Sequence, residues 1–375
     1  SPVSYSDHMS LSKSFSVLRP HIDEATTTAL ARLLARAGAT PRSSAFSEAV
    51  VSSAEGGKRF RALMAHVGWS LSSGRPLSEA RLPHLAAALE LYQASALVHD
   101  DIIDHADERR GAPTPHRRLA DLHRGAGWIG SSGAFGRNAA ILVGDFLFSA
   151  ASAEADEQAL DLPEANARAF ARSFADMHAE VALGQYLDIT AEQTPLDPER
   201  TDALNMSDSL EVALHKSAHY SVVHPALLGA ICAAPSFHHV ADLLDVLETI
   251  LTPWGLAFQL RDDDLGVFGD PAVTGKPAGD DLREGKRTAL LALTWEASSP
   301  AERRALTDVL GVAEASAEQI ATATDIVARN GRAAHEAEIA RLVADGDAAL
   351  EASTFDEDAR AMLRELCSIL TARRA

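Results

Sequence analysis

The chain has 375 residues, with 53 acidic against 34 basic side chains and a formal charge of -19. That balance argues against nonspecific binding to nucleic acid or to an anionic membrane surface, both of which need an excess of basic groups. Cys232 and Cys367 provide neither a disulfide framework nor a metal spacing, which fits a reducing, cytoplasmic setting. No apolar run reaches the roughly eighteen residues of a membrane-spanning helix, and no secretory signal is evident.

Residues 1–17 are expected to be a flexible N-terminal segment, with Ser1 to His8 resembling a vector remnant before Met9. From residue 18 to 375 the pattern predicts one all-α domain, because alanine, leucine, arginine and glutamate recur at helical spacing. The clearest predicted helix covers 83–104, with Leu85, Leu89, Tyr92, Ala96 and Ile103 along one side. Residues 105–137 read as the longest irregular stretch. They contain Gly125-Ala126-Gly127-Trp128-Ile129-Gly130, a literal G-x-G-x-x-G. A dinucleotide site would need a strand before that run, and Leu119 to Arg124 look helical and polar, so a loop is expected. Toward the C-terminus, Ser299-Pro300-Ala301-Glu302, Ser316-Ala317-Glu318-Gln319 and Thr354-Phe355-Asp356-Glu357 have capping-box spacing. Asn330-Gly331 reads as a helix stop.

Two aspartate clusters carry the chemistry. The first is His99-Asp100-Asp101-Ile102-Ile103-Asp104 and the second is Gln259-Leu260-Arg261-Asp262-Asp263-Asp264. Asp100 and Asp104 are four apart and share a helix face, where their charges repel each other. The negative end of the helix dipole adds to that repulsion. A hard divalent cation, Mg²⁺ above all, is the simplest compensation, because it rests on carboxylates together with substrate phosphates. Basic groups stand nearby in sequence: Gly56-Gly57-Lys58-Arg59-Phe60-Arg61, Arg109-Arg110-Gly111, Gly275-Lys276, and Arg283 to Arg287. In so acidic a chain they point to phosphate oxygens. A diphosphate substrate follows.

The pattern resembles the trans-isoprenyl diphosphate synthases, also called polyprenyl synthetases, and is most like the geranylgeranyl type. The likeness runs from about Gly56 to Lys286. The family's D-D-x-x-D followed by R-R-G matches Asp100 to Asp104 with Arg109, Arg110 and Gly111, and its G-G-K-x-x-R matches Gly56, Gly57, Lys58 and Arg61. Gln93, Gly144-Asp145, Gly184 to Asp188, Lys216-Ser217, Phe258-Gln259 with Asp262-Asp263, and Lys286 match further landmarks. One departure stands out: Gly266 occupies the place of the second motif's third aspartate.

The resemblance implies a helical bundle around a deep central cavity, with both clusters facing it, and a homodimer. It implies three Mg²⁺ ions per site, held by Asp100, Asp104 and Asp262. Isopentenyl diphosphate is expected on Lys58, Arg61, Gln93 and Arg110. The allylic partner (dimethylallyl, geranyl or farnesyl diphosphate) is expected on Arg109, Lys216, Ser217, Gln259, Lys276 and Lys286. Of these, Arg109, Lys216 and Lys286 join the aspartates in stabilising the leaving diphosphate. Asp101, Asp263 and Asp188 are left open between direct and supporting roles. Arg373 and Arg374 are candidates for closing a lid. His99 is expected to pack beside the metals. The histidines, His215, His219 and His224 among them, show no paired zinc spacing with acids, so no zinc is assigned.

In the resemblance, the product's tail grows past the residues before the first motif. Ser95 and Ala96 are small there, and Ala96 lies about 40° round the helix from Asp100. Tyr92 is then the next candidate floor, about 12 Å from Asp100 along the axis. A twenty-carbon product is expected. A class I terpene cyclase would not need Lys58, Arg61, Gln93 and Arg110. A non-catalytic partner subunit would be free to lose the aspartates. Both alternatives are therefore disfavoured.

Overall fold

A computed structural model describes residues 9–274 and 277–372. Residues 1–8, Lys276, Arg373 and Arg374 lie outside the described residues, so the expectations placed on them are not addressed by it. Among the described residues the protein is all-α apart from one small hairpin, β1 (Glu108–Arg109) with β2 (Ala112–Pro113).

The first helices are α1 (Leu11–Arg36), α2 (Ser44–Ser53), α3 (Phe60–Ser73), α4 (Pro83–Ile103), α5 (Pro115–Gly125), α6 (Ser132–Leu160) and α7 (Glu164–Gln193). Then come α8 (Met206–Ala213), a π-helix over Leu214–Val223, α9 (His224–Ala233) and α10 (Phe237–Phe268). The remainder is α11 (Pro271–Thr274), α12 (Asp280–Glu284), α13 (Ala289–Ala297), α14 (Pro300–Thr307), α15 (Ala317–Asn330), α16 (Arg332–Ala352) and α17 (Glu357–Thr371). Among the described residues no helix is long and apolar enough to cross a membrane.

The chain divides into two compact units, one of residues 1–174 with 225–243 and the other of 175–224 with 244–375. In the first unit α4 is central and packs against α1, α3 and α6, while α5 packs on α6. Leu85, Ala86, Ala87, Ala88, Leu89 and Leu91 are buried in succession, so α4 is apolar all round at its start, as a core helix must be. The segment expected to be flexible through residue 17 is instead helical from Leu11. Ser10 caps it and Leu11 and Leu18 are buried. The apolar spacing that anchors α1 begins earlier than composition suggested.

Glycines set one contact in this unit. A methyl group on Gly68 of α3 would lie 1.8 Å from the Ala226 carbonyl oxygen, and one on Gly229 of α9 would lie 1.8 Å from that of Ala65. The two helices approach backbone to backbone, which only glycine permits.

In the second unit α13 packs on α8, α15 and α16. Its core includes Leu290, Trp295, Leu306, Val309, Ala323 and Val327. The capping boxes at Ser299 and Ser316 form as predicted. The third start signal shifts: Asp356, not Thr354, caps α17, accepting from the Ala359 amide. At Asn330-Gly331 α15 does end, but Gly331 keeps a negative φ of -119° and α16 starts at once. Glycine is needed there because a Cβ would meet Thr294 Oγ1 at 2.0 Å.

The expected irregular stretch over 105–137 is largely ordered secondary structure: the hairpin, α5 and the start of α6. The glycine-rich run is confined to the α5–α6 connection, where Gly127 and Gly130 have φ of 65° and 90°. A helix, not a strand, precedes it, which removes the dinucleotide reading.

Replacing Gly68 with Ala should lower stability by about 1–3 kcal/mol, the usual cost of overpacking a rigid contact. Urea unfolding midpoints of the two proteins check this. Equal midpoints would mean that the α3–α9 contact yields easily.

Candidate active site

In the first unit, the C-terminal end of α4 presents the first aspartate cluster. Asp104 is the C-cap, and its amide donates to the Asp100 carbonyl. The three acids have different surroundings. Asp101 is buried and accepts from Arg109 Nε at 2.9 and 3.1 Å and from Nη2 at 2.7 Å. That bidentate geometry is the strong form of a carboxylate–guanidinium pair. Burial alone would lower the Arg109 pKa, but the bonds from Asp101 and the charges of Asp100 and Asp104 outweigh it and raise the value. Asp101 is thus a support for Arg109. Asp100 and Asp104 are both partly exposed on the same helix end.

The basic groups expected to hold isopentenyl diphosphate gather in this unit. Arg110 has a positive φ of 52° and donates from Nη1 to the Glu55 carbonyl at 3.2 Å. Its guanidinium lies across Gly56 and Gly57; a Cβ on Gly57 would be 2.9 Å from Arg110 Nη2. The two glycines thereby let an arginine from the hairpin lie against the loop that carries Lys58. Arg61 and Gln93 are partly buried, on α3 and α4.

The support for this loop was not legible beforehand. Arg59, left-handed with φ 56°, is buried and donates from Nε to Asp23 at 2.7 Å, and it lies 3.5 Å from Glu90. Glu90 also accepts from the Ala62 amide at 3.2 Å, so α4 caps the start of α3 where Arg59 cannot.

Ser95 donates to the Gly144 carbonyl at 2.8 Å, so its hydroxyl is committed to α6. His99 lies over Gly144, where a Cβ would come within 2.2 Å of Nε2, and that nitrogen is 3.2 Å from the Ile141 carbonyl oxygen. Gly144 is therefore a packing residue, as its small size suggests. Tyr92 is buried edge-on against Phe148, with centroids 5.9 Å apart, and burial pushes its phenol pKa up. Ala96 stays partly exposed.

In the second unit, α10 carries the second cluster. Asp262 is exposed, whereas Asp263 and Asp264 are buried. Asp264 pairs with Arg332 at 3.0 and 3.2 Å, and that guanidinium stacks on Phe268 at 4.0 Å. Asp263 accepts from Gln259 Nε2 at 3.0 Å. Burial, then the Asp281 carboxylate, raise its pKa well above the usual range; the Gln259 bond opposes this weakly.

Asp281 explains the missing third aspartate. A Cβ on Gly266 would fall 1.8 Å from Asp281 Oδ2 and 2.3 Å from Cγ. The carboxylate of Asp281, from α12, occupies the space that a side chain at 266 would take. The turn after α12, with Gly285 at φ 76°, then ties the Lys286 amide to the Asp281 carbonyl at 3.1 Å. Lys286 Nζ lies 3.5 Å from Glu284. Its neighbour Arg287 is a structural group, donating to the carbonyls of Ala191, Glu192 and Thr194 at the end of α7.

Lys216 and Ser217 sit on the π-helix, both partly buried. Lys216 Nζ donates to Asp188 at 2.6 Å, and Asp188 is buried, so it is no surface acid. Gly184 lets α7 approach, because a Cβ there would be 2.4 Å from the Lys216 nitrogen. On the same face Glu180 meets His215, His219 and His224, a clustering of histidines with an acid that linear spacing concealed.

The polyprenyl synthetase family model matches residues 43–327. The chain belongs to the polyprenyl synthetase family. It is a prenyltransferase of the prenyl diphosphate synthase type. Aeropyrum pernix geranylfarnesyl diphosphate synthase is 33% identical over 277 residues, 74% of this chain and 77% of that one. The geranylgeranyl diphosphate synthase of Sulfolobus acidocaldarius is 30% identical over 273 residues, 72% of this chain and 73% of that one. Among solved structures, a Corynebacterium glutamicum geranylgeranyl pyrophosphate synthase, complexed with isoprenyl diphosphate and magnesium, superposes with a TM-score of 0.83 at 35% identity, covering 98% of this chain and 100% of that one.

A carboxyl whose folded pKa is raised keeps its proton in the fold to higher pH than in the unfolded chain, where it ionises above about pH 3.9. Rising pH therefore favours unfolding through Asp263. In chelator, Asp263→Asn should raise the melting temperature at pH 7 and leave it nearly unchanged at pH 3.5. A gain of equal size at both values would show that ionisation is not the cause.

Proposed function

We propose that this prenyltransferase condenses isopentenyl diphosphate head-to-tail with an allylic diphosphate, in a Mg²⁺-dependent reaction that gives mainly geranylgeranyl diphosphate. The observation that carries this reading is the sorting of the first cluster. Asp101 is spent on Arg109, while Asp100 and Asp104 stand partly exposed on one helix end. Two carboxylates of that kind form a hard, all-oxygen donor set, which suits Mg²⁺ shared with substrate phosphates.

In this reading Asp100 and Asp104 would hold Mg²⁺, and Asp262 would hold a further ion. Mg²⁺ supplies charge neutralisation to the leaving diphosphate when bound. Arg109, held rigid by Asp101, offers its remaining guanidinium face to phosphate oxygens. Lys216, Ser217, Gln259, Lys276 and Lys286 would contact the allylic diphosphate. Lys58, Arg61, Gln93 and Arg110 would bind isopentenyl diphosphate. The Arg110 guanidinium against Gly56 and Gly57 supports this, since the loop that carries Lys58 then has two cations within reach of one ligand. Asp281, in the space above Gly266, would take the part of the missing third acid. No side-chain nucleophile is required: the double bond of isopentenyl diphosphate attacks the allylic carbon as its bond to diphosphate breaks. The proton then lost from carbon leaves to the released diphosphate. The family resemblance also supports a homodimer.

For product length, Ala96 leaves room past the first motif and buried Tyr92 is the next obstruction. The relatives differ in the products that their names carry, so this finer reading rests on these two residues. Ser95, committed to Gly144, would contribute only its small size.

Incubation with labelled isopentenyl diphosphate, Mg²⁺ and each of the three primers tests the reading, with chromatography of the derived alcohols. Consumption of label into a twenty-carbon alcohol is expected. Cyclic hydrocarbon without consumption of isopentenyl diphosphate would replace it with a cyclase. Asp100→Ala should cut turnover by at least about 10²-fold with unchanged helicity, a loss typical of removing a transition-state contact. Activity retained in that variant would refute the metal assignment. Ala96→Phe should shorten the product to fifteen carbons or fewer, and Tyr92→Ala should lengthen it. An unaltered distribution in the second variant would rule out Tyr92 as a floor.

A further inference from the structure

Glu180 of α7 stands at the centre of three imidazoles. Its Oε1 lies 2.9 Å from His215 Nδ1 and 2.5 Å from His219 Nδ1, and its Oε2 lies 2.8 Å from His224 Nε2. All four side chains are mostly buried, with 16–27% of each still exposed, so an ion can reach them.

The convergence depends on the π-helix. Nine residues of an α-helix turn through about 900°, which would put His224 on the side opposite His215. A π-helix closes its hydrogen bonds five residues on, so groups spaced four and five apart stand above one another. His215, His219 and His224 have that spacing across Leu214–Val223 and the residue after it. Such π segments are rare and recur at functional sites. Gly184 adds a second constraint: it lets α7, four residues beyond Glu180, come against the backbone of Lys216.

We propose that Glu180, His215 and His219 form a binding site for a divalent transition metal of the Zn²⁺ class, additional to the proposed Mg²⁺ site, with His224 holding the second carboxylate oxygen of Glu180. Imidazole nitrogen with one carboxylate suits Zn²⁺, Co²⁺ or Ni²⁺, whereas Mg²⁺ prefers oxygen alone. Ligand atoms of Glu180, His215 and His219 all lie within 4.8 Å of one another. Around a tetrahedral zinc with bonds of about 2.0–2.1 Å, ligand atoms stand about 3.3 Å apart. The contacts of Glu180 with His215 and His219 are shorter than that, so the carboxylate must draw back from the two imidazoles to admit the ion. Bound there, the ion locks the π register that carries Lys216. This inference does not depend on the reaction proposed above.

The test uses the full chain, stripped with chelator and then given excess Mg²⁺ to fill hard-oxygen sites. Co²⁺ is titrated in as the probe. One equivalent is expected to bind, with the strong visible absorption of four-coordinate cobalt, and to raise the melting temperature by mass action. Zn²⁺ should displace it and bleach the colour. His219→Ala and Glu180→Gln should each lose the band and the thermal shift, while Asp100→Ala retains both. Absence of uptake by the wild-type chain would overturn the proposal, and so would uptake unchanged in His219→Ala. Should that variant fail to fold, His215→Gln gives the same readout. Weak octahedral cobalt spectra would mark binding at the aspartates and count against the site.

Discussion

Carboxylates crowded within a few residues repel one another, and both aspartate clusters are organised by how that repulsion is relieved. In the first, Asp101 turns into the protein and takes Arg109. In the second, Asp264 takes Arg332, while Asp263 is buried far enough that its neutral form is favoured. Asp188 takes Lys216. Asp100 and Asp104 in one unit are partly exposed, and Asp262 in the other is exposed. An acidic protein can thus carry clustered carboxylates without destabilising the helices that hold them. Each partner arginine or lysine is also fixed in orientation by its acid.

Backbone economy does comparable work around the basic groups. Gly56 and Gly57 leave room for Arg110, and the left-handed Arg59 turns its side chain inward to Asp23 and Glu90. The loop bearing Lys58 is held from beneath by acids and from the side by an arginine. Buried ion pairs of this kind add little net stability, because desolvation offsets most of the attraction. Their contribution here is placement.

Much of this was legible in linear form because it is local. Helix α4 follows from its apolar period and from Pro83 at its start, and the capping boxes at Ser299 and Ser316 follow from side chains three residues apart. The D-D-x-x-D and G-G-K-x-x-R spacings are likewise short. The misses are of a different kind. Within 105–137, α5 does carry a helical period, with His116, Leu119, Ala120 and His123 buried at spacing three and four, but two of those positions are histidines amid charged residues, so the period was masked. Asp356 rather than Thr354 caps α17; both residues carry a side-chain oxygen able to cap, so spacing alone did not separate them.

The sequence by itself determined the helical class, the motif acids and bases, and the family to which they belong, because each rests on residue types at fixed short spacing. Only the tertiary structure decided which acids are buried against basic partners and which are exposed. The pairs that decide it, Asp264 with Arg332 and Asp281 over Gly266, join separate helices. Only the structure, too, assembled Glu180 with three histidines. Their meeting depends on a hydrogen-bond register within 214–223 that no hydrophobic period encodes, and on the close approach of α7 at Gly184.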